Sequence, residues 1–119
     1  MSREEPILGV VPDALRHSAY CVGRDAAWKR EDALSVIEHF SSNGLLVLGI
    51  EIWLPTEPGP TIPTPFIYTW NAVPQSDGED WRNYVVRSNQ SASDYIRSFA
   101  WDSRDPIDRN HVPFFNLTI

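Results

Sequence analysis

The sequence has no lysine or arginine between Arg30 and Arg82. The 51 residues of this stretch (31–81) carry a formal charge of −8, from Glu31, Asp32, Glu38, Glu51, Glu57, Asp77, Glu79 and Asp80. The other 68 residues hold eight acids and ten bases, a formal charge of +2, which gives the whole chain its net charge of −6. All of the excess negative charge therefore lies in this stretch. Acid without balancing base is typical of a surface that attracts a cationic partner. A pI near 4.9 argues against binding to nucleic acid or to anionic membranes, since both require many basic residues.

Cysteine and catalytic motifs are also scarce. Cys21 is the only cysteine, which excludes an intramolecular disulfide and a thiolate metal cluster. The three histidines form no HxH or HxxxH pair, so we expect no metal site and no cofactor. The sequence contains no GxSxG motif, glycine-rich phosphate loop or HExxH motif, and we therefore expect no enzymatic activity.

Long apolar segments are absent too. The longest mainly apolar run, residues 45–54, is too short to span a bilayer and is interrupted by Glu51. The first ten residues carry charges ahead of a short apolar run, unlike a signal peptide. We therefore expect a cytoplasmic protein, and 119 residues fit a single domain, residues 1–119.

Hydrophobic periodicity in the first half predicts helices and strands. A short helix is predicted at residues 12–19. A longer helix is predicted at residues 25–42, with a stripe of Trp28, Leu34, Ile37 and Phe40, and Asn43-Gly44 ends it. Residues 45–54 predict a strand that places Glu51 and Trp53 on one face. Five prolines in residues 55–65 predict a stiff connection, after which residues 66–71 form an antiparallel neighbour with Phe66, Tyr68 and Trp70 on one face.

The second half continues the α+β pattern. Trp81, Tyr84, Val85 and Ser88 have the spacing of a short helix, preceded by N-cap candidates at Ser76 or Asp77, although residues 84–86 also suit a strand. Ser91-x-x-Asp94 predicts the start of another helix, and residues 112–119 predict a closing strand. The predicted fold is α+β, with a small, mainly antiparallel sheet packed against two or three helices.

The candidate binding residues are the later acids and two tryptophans. We predict a partner-binding surface made of Glu51, Trp53, Trp70, Asp77, Glu79 and Asp80, in which the acids steer association and the indoles anchor it. With Glu57, these acids give this portion a formal charge of −5. The tryptophans suit a core equally well. The acids also allow a second interpretation, a carboxylate pair for sugar hydrolysis, although Glu79 and Asp80 are explained by the helix that follows them.

Four short segments carry a family resemblance: Ala27-Trp28 ahead of Ala33-Leu34; Val47-Leu48-Gly49-Ile50-Glu51-Ile52-Trp53; Tyr68-Thr69-Trp70-Asn71; and Tyr84-Val85-Val86-Arg87-Ser88, followed by Ala92 and Tyr95-Ile96. Together they resemble the Immunity protein 40 family, antidotes of bacterial polymorphic toxin systems. The family strand ends in Gly-Gly-Asp-Val; here Gly49 matches the first glycine, Ile50 replaces the second, and Glu51 replaces the aspartate with its charge retained. The resemblance implies an α+β fold, no catalysis, and binding to a cognate toxin made by the same bacterium.

Two other functions are compatible with the residues. One is a small-molecule-binding or hydrolytic domain whose cleft is lined by Glu51, Tyr68 and Trp70. The other is an adaptor that pairs its sheet edge with a peptide. A cleft that gathers those three residues would favour the first of these, whereas an exposed acidic face favours an immunity protein that binds a cationic toxin.

Overall fold

The computed structural model describes residues 7–55, 59–61 and 67–119. Within these ranges a 3-10 helix (Ile7–Val10) precedes three α-helices, α1 (Asp13–Ser18), α2 (Arg30–Ser42) and α3 (Trp81–Ser98). The strands are β1 (Tyr20–Val22), β2 (Asp25–Trp28), β3 (Gly49–Trp53), β4 (Thr69–Asn71) and β5 (Phe114–Thr118). They form one antiparallel sheet in the order β1-β2-β5-β3-β4. The predicted α+β fold is confirmed.

The last strand, β5, occupies the middle of the sheet. Phe115 lies opposite Trp28 on one side and Ile52 on the other, and Leu117 lies opposite Ile50. These apolar side chains point to one face and are buried against residues of α2 and α3, including Val36, Ile37, Phe40, Ala92 and Ile96. Because side chains alternate along a strand, Glu51, Trp53 and Phe114 point to the opposite face. The sheet therefore has one face covered by helices and a second face with its own aromatic and acidic side chains.

Helices α2 and α3 run antiparallel and are connected at both ends. The Arg30 guanidinium, at the start of α2, donates hydrogen bonds to the carbonyls of Ile96 and Phe99 at the end of α3. At the other end, the Trp81 indole N–H donates to the Gly44 carbonyl, 3.0 Å away. Gly44 has a φ of +70°, so the predicted left-handed end of α2 is confirmed. These contacts fix the position of the first turn of α3, and Asp77, Glu79 and Asp80 lie just before that turn.

The buried Asn89 side chain connects α3 to the segment between α2 and β3. Its carbonyl oxygen accepts from the Val47 backbone N–H at 2.9 Å, and its amide donates to the Leu45 carbonyl at 2.9 Å and to the Ser41 hydroxyl at 3.0 Å. Residues 45–48, which were predicted to belong to the strand, are a connection in which Asn89 holds Leu45 and Val47, and backbone hydrogen bonds to Thr118 and Ala72 hold Leu48. The prediction placed the start of the strand four residues too early.

The prediction was wrong for residues 25–28, which form strand β2 and not the first turn of a helix. Ala26, Ala27 and Trp28 are fully buried between β1 and β5, because strand pairing outweighs a helical spacing that also fits these residues. Gly23, with a φ of +60°, makes the tight turn between β1 and β2. Strand β1 was not predicted.

The two helices predicted after residue 80 are a single helix, α3. Ser91 and Asp94 do not start a new helix, since the buried stripe continues through Ser88, Ala92 and Ile96 without a break. The N-cap is Asp80, and not Ser76 or Asp77. Residues 56–58 and 62–66, which include Glu57 and Phe66, lie outside the described residues.

Candidate partner-binding surface

Three of the six predicted site residues lie together just before α3. The Asp80 side chain accepts a hydrogen bond from the Asn83 backbone N–H at 2.8 Å and so caps the helix. The Ser76 backbone N–H donates to the Glu79 carboxylate at 2.9 Å, and Gly78, with a φ of +76°, completes the turn. This local hydrogen bonding holds Asp77, Glu79 and Asp80 in fixed positions at the start of the helix.

These three acids differ in how much charge they present to solvent. Glu79 accepts two hydrogen bonds from Arg87, at 2.7 and 2.8 Å, and its side chain is only 13% exposed. The Arg87 guanidinium lowers the pKa of Glu79 to about 2 and compensates its charge. Asp77 and Asp80 are exposed, and neither forms an ion pair with a base among the described residues. The unbalanced negative charge therefore belongs to Asp77 and Asp80.

Trp81, the first residue of α3, adds an exposed indole beside these acids. Trp81 is 52% exposed. Its indole N–H donates to the Gly44 carbonyl, and its ring packs edge to face against Tyr84, with the ring centroids 5.6 Å apart. The sequence placed Trp81 on the apolar stripe of the helix, but this end of α3 extends beyond the core. We name Asp77, Asp80 and Trp81 the α3-start surface. It joins negative charge to an ordered indole, and tryptophan is the kind of side chain that is enriched at protein interfaces.

Glu51 and Trp53 form a second group on strand β3. The Trp53 indole N–H donates to the Glu51 carboxylate at 3.0 Å, and Trp53 is 8% exposed. Its ring packs edge to face against Tyr20, with the ring centroids 6.4 Å apart, and the Tyr20 ring packs in turn against Phe114, with the centroids 5.6 Å apart. The structure thus brings Glu51 and Trp53 together, as their strand spacing predicted, but it leaves Trp53 buried.

Trp70 lies on the other face of the sheet. It pairs in register with Ile50 on β3 and packs, half-buried, against the core. Tyr68 packs against the same core; its hydroxyl donates to the Asp105 carboxylate at 3.0 Å and accepts from the Asp102 backbone N–H at 2.9 Å. Burial raises the pKa of Tyr68, and the bond to Asp105 adds to this increase. Because Glu51 points to the opposite face, the cleft of Glu51, Tyr68 and Trp70 is not formed.

The described residues were also compared with the requirements of a metal site and of a membrane span. Among the residues that the structure describes, no group of three or more His, Cys, Asp or Glu side chains is placed to hold a metal ion. None of the described helices is long and apolar enough to cross a membrane. Cys21 is exposed on the edge strand β1.

The structure is a small α+β domain with exposed acidic and aromatic residues at the start of α3. The sequence model of Immunity protein 40 matches residues 15–115, which is most of the chain. The chain therefore belongs to the Immunity protein 40 family, and the resemblance identified from the sequence is confirmed. Membership in this family implies an immunity function. No curated protein and no solved structure gives a significant match.

Proposed function

We propose that this protein is an immunity protein that binds a cognate, cationic toxin in the cytoplasm of the producing bacterium and neutralises it without catalysis. Family membership over residues 15–115 is the observation that carries the function. It agrees with the net charge of −6, which suits a positively charged protein partner better than nucleic acid.

The α3-start surface is the proposed centre of the interface. Asp77 and Asp80 supply unpaired negative charge, which accelerates encounter with a basic partner. Trp81 supplies a large side chain whose orientation is already fixed by Gly44 and Tyr84, so little conformational entropy is lost when it is covered. Glu79 lies next to this surface, but Arg87 compensates its charge.

Glu51 and Trp53 on β3 and Trp70 on β4 are expected to contribute less to the interface. Glu51 is half-buried and already bonded to Trp53, and Trp70 packs against the core. We therefore expect replacement of Glu51, Trp53 or Trp70 to affect toxin binding less directly than replacement at the α3-start surface. Glu51→Gln is the cleanest probe, because glutamine keeps an acceptor for the Trp53 indole.

The test combines the protein with the toxin domain encoded by the neighbouring gene. Co-expression should restore growth, and calorimetry with an inactive toxin variant should give a one-to-one complex that weakens as salt is raised. Asp77→Asn with Asp80→Asn should slow association about tenfold at low salt, while asparagine preserves the helix cap. The control is Asp25→Asn with Asp108→Asn, which removes the same charge from exposed positions elsewhere.

Two results would count against this proposal in different ways. Failure of the wild-type chain to bind and neutralise the neighbouring toxin would refute the immunity function for that pair. Binding that is unaffected by salt, and equal in the Asp77/Asp80 variant and the control, would refute the electrostatic role of the α3-start surface.

A further inference from the structure

An open groove runs between helices α2 and α3 and has a volume of about 630 Å³. Its lining residues all come from these two helices. Ile37 and Asn89, each 1% exposed, lie deepest, and Leu34 is half-buried beside them. The groove is therefore a surface feature of the antiparallel helix pair, and its floor is fixed by the core and by the Asn89 hydrogen bonds.

One rim of the groove carries unpaired acids. Glu31 and Glu38 on α2 are exposed, and neither forms an ion pair within the described ranges. Helix α2 has no lysine or arginine after Arg30, whose guanidinium is bonded to the carbonyls that end α3. The two carboxylates are seven residues apart, which places them about 10.5 Å apart along the same face of the helix.

The rim on α3 is mostly uncharged and partly apolar. Val86 is 53% exposed, although it is a large apolar residue, and Gln90 lies one turn further along the helix. Arg97 lies at the far end of this rim, where it pairs with Asp94 at 3.3 Å. A segment in the groove would thus meet acid on one side and a valine on the other, with Leu34 and the polar side chains of Asn89 and Ser93 between them.

We propose that this groove receives a basic amphipathic helix of the cognate toxin. Lysine or arginine side chains seven residues apart on that helix would face Glu31 and Glu38, and its apolar side chains would cover Val86 and Leu34. Charge complementarity is the argument for this occupant, because the two acids match the two-turn repeat of a helix. The two arginines that also line the groove are already bonded, Arg30 to carbonyls of α3 and Arg97 to Asp94. This inference rests on the proposed immunity function and adds a second contact to the α3-start surface.

The first experiment measures how the inactive toxin domain encoded by the neighbouring gene binds charge variants. Glu31→Gln with Glu38→Gln should weaken binding about tenfold at low salt, and less at high salt, because salt screens exposed charges. The control is again Asp25→Asn with Asp108→Asn, which changes net charge equally outside the groove. Equal binding by the two double variants would overturn the groove proposal.

The second experiment separates a basic occupant from an apolar one at a single position. Val86→Lys places a cation opposite the acidic rim, and Val86→Glu adds an acid of similar size. A basic helix should bind the lysine variant at least tenfold more weakly than the glutamate variant. Equal losses would overturn the basic-helix proposal. Urea unfolding of both variants should resemble that of wild type, since Val86 is exposed.

Failure of this inference is distinguishable from failure of the proposed function. If the wild-type chain binds and neutralises the toxin but the groove variants behave like the control, the groove proposal is wrong and the immunity function stands. If the wild-type chain does not bind the toxin at all, the proposed function fails for that toxin, and the groove proposal fails with it.

Discussion

The two ends of helix α3 use charge in opposite ways. At the start, Asp77, Asp80 and Trp81 are exposed to solvent. At the end, the last carbonyls accept hydrogen bonds from Arg30, whose guanidinium also lies over the Phe115 ring at 5.7 Å. A charge bonded to otherwise unsatisfied backbone groups stabilises the fold, whereas an exposed charge contributes little to stability and remains available to a partner. Substitutions should therefore reduce stability at the end of α3 and binding at its start.

The largest stability loss should follow Arg30→Ala. This change removes a charged donor from the carbonyls of Ile96 and Phe99 and should lower the free energy of unfolding by about 3 kcal/mol. Arg30→Lys should recover only part of the loss, because an ammonium group cannot reproduce the planar fork of the guanidinium.

Urea unfolding of the Arg30 variants measures this effect, and Arg97→Ala is the control. Arg97 forms an exposed pair with Asp94, so its loss should change the free energy of unfolding by less than about 0.5 kcal/mol. If Arg30→Ala and Arg97→Ala lowered the free energy of unfolding equally, the hydrogen bonds of Arg30 would not stabilise the end of α3 as proposed.

The second largest effect should follow Tyr68→Phe. Tyr68 precedes β4 but packs against Phe99, the residue that follows α3. The Tyr68 hydroxyl donates to Asp105, whose side chain is buried and whose Oδ1 has no hydrogen-bond partner among the described residues. Loss of the hydroxyl leaves the carboxylate and the Asp102 N–H without this partner, which should cost about 2 kcal/mol.

Thermal and urea unfolding would measure the loss in Tyr68→Phe. Tyr95→Phe is the matched control, because the Tyr95 ring packs near Phe99 while its hydroxyl bonds to none of the described residues. A small loss at Tyr68, equal to that at Tyr95, would show that the hydrogen bonds to Asp102 and Asp105 contribute little.

The elements of the fold that the sequence could predict are those determined by local spacing, and those it could not predict depend on contacts distant in sequence. Helices α1 and α2 and strands β3, β4 and β5 were predicted, apart from their exact ends, because their apolar spacing is a local property. Strand β2 was not, since Ala26, Ala27 and Trp28 fit a helical stripe as well as a strand. Pairing with Phe115 and Asn116, nearly ninety residues later, decides between the two.

The candidate site was predictable only in part for a related reason. Alternation along β3 correctly paired Glu51 with Trp53, but the burial of Trp53 depends on Tyr20, far away in sequence. Trp81 has the spacing of a core residue, and its exposure depends on how far the sheet and α2 extend beneath α3. The groove requires the relative position of α2 and α3, which Arg30 and Asn89 set through non-local hydrogen bonds.

A smaller effect is expected at the Asp80 cap. Asp80→Ala removes the acceptor for the Asn83 N–H and should cost about 1 kcal/mol of stability, while Asp80→Asn should cost almost none. Both variants remove the charge, so both should weaken toxin association. Urea unfolding and binding kinetics on the same two variants would therefore separate capping from recognition. Identical stability of the two variants would show that the cap contributes nothing.

The smallest effect concerns the ion pair of Glu79 and Arg87, and it depends on pH. The folded-state pKa of Glu79 is lowered from 4.5 to about 2, so the pair stabilises the fold fully above pH 4.5 and loses this contribution as pH falls towards 2. The stability difference between wild type and Glu79→Gln should therefore shrink across that window.

Arg87→Gln should show the larger part of the pH dependence of Glu79→Gln, because Arg87 is the main cause of the lowered Glu79 pKa, while the Ser76 N–H still bonds to the carboxylate in this variant. Asp102, whose pKa Arg104 likewise lowers to about 2, gives wild type and both variants a common slope in the same window. The comparison therefore uses differences between variants at each pH and not the absolute curves. A difference that stays constant from pH 5 to pH 2 would mean that the pair adds nothing to folding. Glu79 would then resemble Asp77, as an acid before α3 that adds nothing to folding, and would differ from Asp80, which caps the helix.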